Sequence, residues 1–249
     1  MPPDVAPLAR RKALDALRTL TAVVALAAYI LIIGPPLLIW AALFRQAGPL
    51  FFAGQLAIRL ALTIVGVRIR VNGAEHIQTG RAAVYAFNHS SNLEPPIAFV
   101  VLRRLFPMLR VLYKAELRKL PVLVWVFDAA GFVPVQRQNR EQSLPAVDKA
   151  VDALKAGASF LIFPEGTRSR TGELLPFKKG GVIMALRAEA PVVPVAITGA
   201  RAAMHRGSPV IHPVTVEVSF CPPIETKGRT FAERDELVEQ VRSAIASKL

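Results

Sequence analysis

From Thr19 to Phe44 the chain reads TLTAVVALAAYILIIGPPLLIWAALF, 26 residues without a charged side chain. A helix of about 20 predominantly apolar residues crosses the hydrocarbon core of a bilayer, so this run predicts a membrane-embedded N-terminal segment. A secretory signal peptide has a shorter apolar run and a small-residue cleavage site, which argues that the segment is retained. Gly34-Pro35-Pro36 falls inside it and predicts a break, leaving a kinked span and a re-entrant insertion both open. A second apolar stretch, PLFFAGQLAIRLALTIVGV (49–67), carries only Arg59 as a charge. It suits a return to the starting side, an interfacial helix or an ordinary buried helix. Arg10, Arg11, Lys12 and Arg18 precede the first segment and place the N-terminus on the cytoplasmic side by the positive-inside tendency. A two-helix hairpin would then leave the rest of the chain facing the cytoplasm too.

The remaining composition narrows the class. Among the 249 residues, 53% are hydrophobic and 20% charged, too apolar for a disordered chain. A net charge of +13 asks for an anionic partner: nucleic acid, an anionic lipid surface or a phosphorylated substrate. Aromatic residues are only 7% and no aromatic-basic patch is interleaved, so nucleic acid is not expected as a partner. Cys221 is the single cysteine, which excludes an intrachain disulfide and a CxxC redox pair. Four histidines without an H-E-x-x-H pattern give no reason to expect a metal.

After Val67 the pattern changes to short β-rich runs alternating with helical stretches, the signature of an α/β fold. The expected strands are 67–71, 82–87, 109–113, 131–136, 159–163, 192–197 and 214–220. Thr230 with Glu233 forms a capping-box pattern ahead of a last helix whose apolar face carries Leu237, Val238, Val241 and Ile245. The expected organisation is a membrane-associating segment over 1–66 and one catalytic domain over 67–249.

Two segments carry the chemistry. In AFNHSSNLEPP (86–96), His89 directly follows an expected strand, and ligands tend to sit at strand ends in α/β sheets. Glu94 comes five residues later and would lie about 140° away on a continuous helix, so the two side chains meet only if the turn between them is not helical. Pro95 and Pro96 favour that geometry, because they suit the first turn of a new helix beginning near Glu94. A carboxylate on one ring nitrogen fixes the tautomer and leaves the other nitrogen free to take a proton from a substrate hydroxyl. Ser90 and Ser91 raise a serine hydrolase, but no G-x-S-x-G elbow surrounds them. A solvated turn histidine stays open on these residues alone. The second segment, FPEGTRSR (163–170), follows an expected strand with a turn and two arginines, a composition suited to gripping a phosphate. Arg168 is the candidate bidentate partner, the alternative being a simple Glu165–Arg168 pair, and Gly166 suits a positive φ or a close ligand approach. FKKGG (177–181) adds two lysines before a glycine pair, a weaker anion cradle.

Together these segments resemble the glycerophospholipid acyltransferases, in particular the 1-acyl-glycerol-3-phosphate (lysophosphatidic acid) acyltransferases. The first family block is matched by Asn88, His89, Ser91 and Glu94, where the family's acid is usually aspartate. The second is similar to YKAELRKLP through GFVPVQR, with Lys114, Pro121, Gly131 and Arg137 in order. The third is matched by FPEGTRS with Glu165, Gly166 and Arg168, and the fourth by Pro194 in VVPVAI. The resemblance implies a mixed β-sheet sandwiched by helices. It implies acyl transfer from acyl-CoA or acyl-acyl-carrier protein to a lysophospholipid hydroxyl at a membrane, with neither metal nor any cofactor beyond that co-substrate. His89 would act as general base and Glu94 would orient it. Lys114, Arg137 and Arg168 would hold the acceptor's phosphate, with Glu165, Gly166 and Thr167 in the same binding turn. Glycerol 3-phosphate or another lipid acceptor is an alternative within the same chemistry. A non-catalytic, membrane-anchored protein binding anionic lipid is the alternative of a different class.

Overall fold

The computed structural model describes residues 5–44, 46–119, 124, 127, 128, 130–136 and 140–249. In chain order the elements are α1 (Val5–Phe44), α2 (Gly48–Ile64), β1 (Arg68–Asn72), β2 (Val84–Phe87), α3 (Glu94–Val101), β3 (Leu109–Lys114), β4 (Val133–Val135), α4 (Arg140–Lys155), β5 (Ser159–Ile162), α5 (Gly180–Ala188), β6 (Val192–Thr198), α6 (Ala200–Ala203), β7 (Thr215–Phe220) and α7 (Arg234–Ala246). All seven expected strands are present within one or two residues of their anticipated ends. They form one sheet in the order β1-β7-β6-β2-β5-β3-β4. Within it β2 pairs in parallel with β5 and β6, and β3 pairs in parallel with β5 and β4. Parallel neighbours need long crossovers, which is why helical stretches separate these strands in the sequence. The result is a mixed α/β fold with helices flanking a seven-stranded sheet.

By packing, the chain divides into two compact units. The second comprises Val71–His89, Val101–Ile197 and Val218–Leu249. Its core lies where the sheet residues Val84, Ala86, Phe160 and Ile162 meet Ala150 and Leu154 of α4, Met184 and Ala185 of α5, and Leu237, Val241 and Ile245 of α7. Each aliphatic side chain buried there contributes about 1.5–3 kcal/mol relative to exposure. β2 is buried along its whole length, which explains why VYAF shows no polar alternation. Tyr85 and Phe87 set their rings edge-on to Phe220, at centroid distances of 6.4 and 6.3 Å. The Tyr85 hydroxyl accepts from the Gln78 amide at 2.7 Å, and burial pushes its pKa up to about 12. The Thr230–Glu233 capping box is formed, with the Thr230 amide donating to Glu233 Oε2 at 2.7 Å. It opens a single 3-10 turn, Phe231–Glu233, that runs into α7.

The first unit holds the described residues of Met1–Arg70, Ser90–Val100 and Thr198–Glu217. Here α1 continues through Pro35 and Pro36, so the expected break is absent. A proline's fixed φ is compatible with a helix, and Gly34 has no Cβ to oppose the following ring, the clash that normally keeps a pre-proline residue out of the helical region. The Tyr29 hydroxyl donates to the Ala53 carbonyl at 3.1 Å and ties α1 to α2. Gln55 of α2 donates to the Phe99 carbonyl at 2.7 Å, and Phe51 meets the Phe99 ring edge-on at 5.0 Å, which seats α2 on α3. The start of α1 is fastened to the segment before β7: Asp15 Oδ2 lies 2.8 Å from His212 Nδ1, and the Ile211 amide donates to Thr19 Oγ1 at 3.0 Å. Beyond that anchor Leu20, Val23, Leu31 and Leu43 stand exposed. Among the described residues α1 is the one helix long and apolar enough to cross a membrane.

These observations rank two substitutions. Leu237→Ala removes a fully buried side chain from the second unit and is expected to lower stability by about 2–5 kcal/mol. Thr230→Ala, at the exposed cap, is expected to cost about 1 kcal/mol. Thermal denaturation of both variants in detergent checks the order; equal losses would contradict this account of the core.

Candidate active site

In the second unit the chemistry gathers where β2 and β5 end. The side chain of Asn88 forms a reciprocal amide pair with β6: Nδ2 donates to the Ile197 carbonyl at 2.9 Å, and the Ile197 amide donates to Oδ1 at 2.7 Å. One residue later, both main-chain polar groups of His89 are taken up by the segment after β5. The His89 amide donates to Glu165 Oε1 at 2.6 Å, and the Ser169 amide donates to the His89 carbonyl at 2.7 Å. Glu165 is only 3% exposed, and its Oε2 accepts from the Leu175 amide at 3.0 Å. Each oxygen of this buried carboxyl group meets a backbone N–H, which offsets its desolvation. The imidazole of His89 lies on the ring of Phe163 at 4.3 Å with 31° between planes, and it remains partly exposed. A histidine with a fixed main chain, a flat apolar support and partial exposure has the setting that general base chemistry needs.

The turn that holds His89 is shaped by Gly166, whose φ of 68° lies in the left-handed region that favours glycine. A methyl group there would come within 2.8 Å of Lys178 Cε. The Gly166 amide donates to the Phe163 carbonyl at 3.0 Å, and the Lys178 amide donates to the Pro164 carbonyl at 2.8 Å, which brings the FKKGG segment against the FPEG turn. A cavity of about 880 Å³ opens beside this turn, walled by Phe163, Pro164, Gly166 and residues of β3, β5 and α5.

In the first unit, α3 begins at Glu94, as the double proline led us to expect. The Glu94 side chain is fully buried. Its Oε2 accepts from the Ser90 amide at 2.8 Å, and its Oε1 accepts from the Ser90 hydroxyl at 2.7 Å. Ser91 Oγ donates to the Met204 carbonyl at 3.0 Å. Both serines that raised a hydrolase are therefore occupied in holding a turn.

Of the other anticipated residues, Arg168 is half-buried and Thr167 exposed in the same segment as Glu165. Lys114 sits exposed at the end of β3, where its Nζ lies 3.4 Å from Glu116. Arg137 and Pro121 lie outside the described residues. Among the described residues no group of three or more His, Cys, Asp or Glu side chains could hold a metal ion. The sequence pattern did not reveal the Glu165–His89 bond, because its partners are 76 residues apart. Nor did it reveal the roles of Asn88 and Phe163, whose contacts are equally long-range.

Residues 68–198 match the family model described as Acyltransferase. A 1-acyl-sn-glycerol-3-phosphate acyltransferase of Limnanthes douglasii is 34% identical over 215 residues, covering 86% of this chain and 74% of that protein. One of Borreliella burgdorferi is 27% identical over 80% of this chain and 78% of its own. The crystal structure of the 1-acyl-sn-glycerophosphate (LPA) acyltransferase of Thermotoga maritima superposes with a TM-score of 0.80 at 28% identity, covering 96% of this chain and 95% of that one. The chain belongs to the 1-acyl-sn-glycerol-3-phosphate acyltransferase family of O-acyltransferases.

The Asn88 pair yields a graded test. Asn88→Ala leaves the buried Ile197 amide and carbonyl without partners and is expected to cost about 1–3 kcal/mol for each orphaned group. Asn88→Asp keeps the acceptor for the Ile197 amide but turns a buried carboxyl oxygen toward the Ile197 carbonyl, so its cost should fall at low pH, where a protonated acid can donate. Chemical denaturation monitored by circular dichroism measures both, and an alanine variant as stable as the parent would refute the clamp.

Proposed function

We propose that this protein transfers a fatty acyl group from an acyl thioester to the sn-2 hydroxyl of 1-acyl-glycerol 3-phosphate, giving phosphatidic acid, with His89 as the general base. The observation that carries this reading is the fixing of His89 by the segment after β5: its amide and carbonyl are bound by Glu165 and Ser169, its imidazole lies on Phe163, and the residue stays partly exposed. His89 takes the proton of the acceptor hydroxyl as its oxygen attacks the thioester carbonyl. The tetrahedral intermediate collapses with cleavage of the C–S bond, and the imidazolium returns its proton to the departing sulfur. No acyl-enzyme is needed, in keeping with Ser90 and Ser91 being engaged in the turn. Glu94 is assigned as the acid that orients the imidazole. Arg168 is assigned to the acceptor's phosphate, with Lys114 and Arg137 as further cations for that group and Gly166 and Thr167 in the same turn. General base assistance is worth about 10²–10⁴-fold, and positioning supplies the rest.

The lipid nature of acceptor and product gives the exposed apolar surface of α1 a purpose: seated in the bilayer, it keeps the enzyme where its substrates partition. The basic residues before the apolar run favour a cytoplasmic N-terminus and, with α1 and α2 as a hairpin, a cytoplasmic catalytic face. Glycerol 3-phosphate, carrying the same phosphate, is the nearest competing acceptor.

Release of free thiol from acyl-CoA in detergent, dependent on lysophosphatidic acid, is the direct assay. His89→Ala is expected to reduce it by about 10²–10⁴-fold while the protein stays in the membrane fraction. Glu94→Asp is expected to retain activity and Glu94→Gln to lose it. Near-normal turnover by His89→Ala would end the base assignment, and faster transfer to glycerol 3-phosphate than to lysophosphatidic acid would reassign the acceptor.

A further inference from the structure

His89 lies at the end of a run of aromatic rings that begins in the core of the second unit. Successive residues of a strand face opposite sides of the sheet, so Tyr85 and Phe87 of β2 share one side, and the same alternation carried past the strand end reaches His89. Strands β2 and β5 run parallel with Ala86 opposite Ile162, and the next residue of each segment is aromatic, Phe87 and Phe163. Their rings stand 6.0 Å apart at 49°. Phe87, fully buried, meets the buried ring of Phe220 edge-on at the end of β7. The last contact of the run is of a different kind. The ring centroids of His89 and Phe163 are 4.3 Å apart with 31° between planes, closer and nearer to parallel than any other pair in the run. An aromatic ring carries negative charge on its face and positive charge at its edge, so a group over the face is stabilised more when it is positive. The distance lies inside the roughly 6 Å over which a ring attracts a cation.

Resting on the general base role of His89 given above, we infer that Phe163 is a positioning residue for acyl transfer whose ring face stabilises the imidazolium form of His89. In that reaction the acceptor O–H bond breaks as its proton joins the imidazole, and the oxygen bonds the thioester carbon. The C–S bond then breaks, and the imidazolium returns the proton to the sulfur. His89 is neutral before and after this cycle and positive between, so a ring face that favours the cation lowers the barrier and leaves substrate binding unchanged. Phe87 and Phe220 back the Phe163 ring and fix the angle at which it meets the imidazole. Two residues further on, Glu165 takes the His89 amide, so one segment holds the main chain of the base and faces its side chain. An aliphatic group of similar bulk would support the imidazole mechanically and would show no preference for its charged form.

Replacement of Phe163 in the full-length protein by phenylalanines bearing one, two and three ring fluorines tests the inference, because fluorine withdraws charge from the ring face while the side chain keeps nearly the same shape. The thiol-release assay is run as a single turnover, so that product release does not mask the chemical step. The transfer rate should fall stepwise, by about tenfold over the series, with KM for both substrates and the thermal midpoint unchanged. Phe163→Tyr should stay within about twofold of the parent, and Phe163→Leu should lose about as much as the trifluorinated ring. A merely structural role predicts one rate along the fluorine series. A flat series therefore overturns the inference, as does Phe163→Leu at the parental rate. A raised KM with the single-turnover rate retained overturns it in favour of Phe163 as a wall of the cavity beside the FPEG turn. A flat series beside an inactive His89→Ala rejects the role of Phe163 alone, whereas near-normal turnover by His89→Ala rejects the base and this inference together. A graded series obtained with an acceptor other than lysophosphatidic acid supports the inference and reassigns only the acceptor.

Discussion

The carboxylate of Glu165 is the interaction on which the site depends. It is buried, it bonds the His89 amide with one oxygen and the Leu175 amide with the other, and so it joins the end of β2 to the loop after β5. Each carboxylate oxygen meets a backbone N–H, which offsets the desolvation of a buried acid. The bond from the Ser169 amide to the His89 carbonyl closes the same connection from the other side. Both main-chain polar groups of His89 are thus held by the segment after β5.

This arrangement explains how a chain with few polar core residues can build a catalytic centre. Asn88, Ser90, Ser91, Glu94 and Glu165 are among its buried polar side chains, and all five fall in or beside the two segments that carry the chemistry. Their desolvation is offset by short hydrogen bonds to backbone groups or neighbouring hydroxyls. The surface, by contrast, is loaded with cations whose partners are exposed carboxylates, such as Arg70–Glu217 and Arg118–Asp128. Such pairs contribute about 1 kcal/mol or less each, so the positive charge serves attraction of anions more than stability.

Much of this was legible in the sequence, for identifiable reasons. Strand positions follow from short apolar runs bounded by turn residues, and the last helix from the Thr230–Glu233 box with its apolar stripe. The helix start at Glu94 follows from the proline pair behind it. What escaped was long-range or context-dependent. The passage of α1 through Pro35-Pro36 departs from the ordinary breaking rule, and Gly34 relieves the pre-proline clash for Pro35 alone. The joining of Ser90–Val100 with Thr198–Glu217 in one compact unit spans about a hundred residues and leaves no local pattern. Glu165 reads locally as part of a phosphate-suited turn or as a partner for Arg168, and its bond to the His89 amide, 76 residues away, leaves no local signal.

The Asn88 clamp carries a further consequence. A carboxamide presents the same donor and acceptor as a peptide group, and the Asn88 side chain meets Ile197 as one strand meets another. The last backbone rung between β2 and β6 pairs Phe87 with Val195, so the side chain adds one more rung after the strand itself has stopped. His89 therefore occupies the first position free of the ladder while inheriting the ladder's rigidity. The His89 backbone is in effect mounted on a strand that has been lengthened by a side chain.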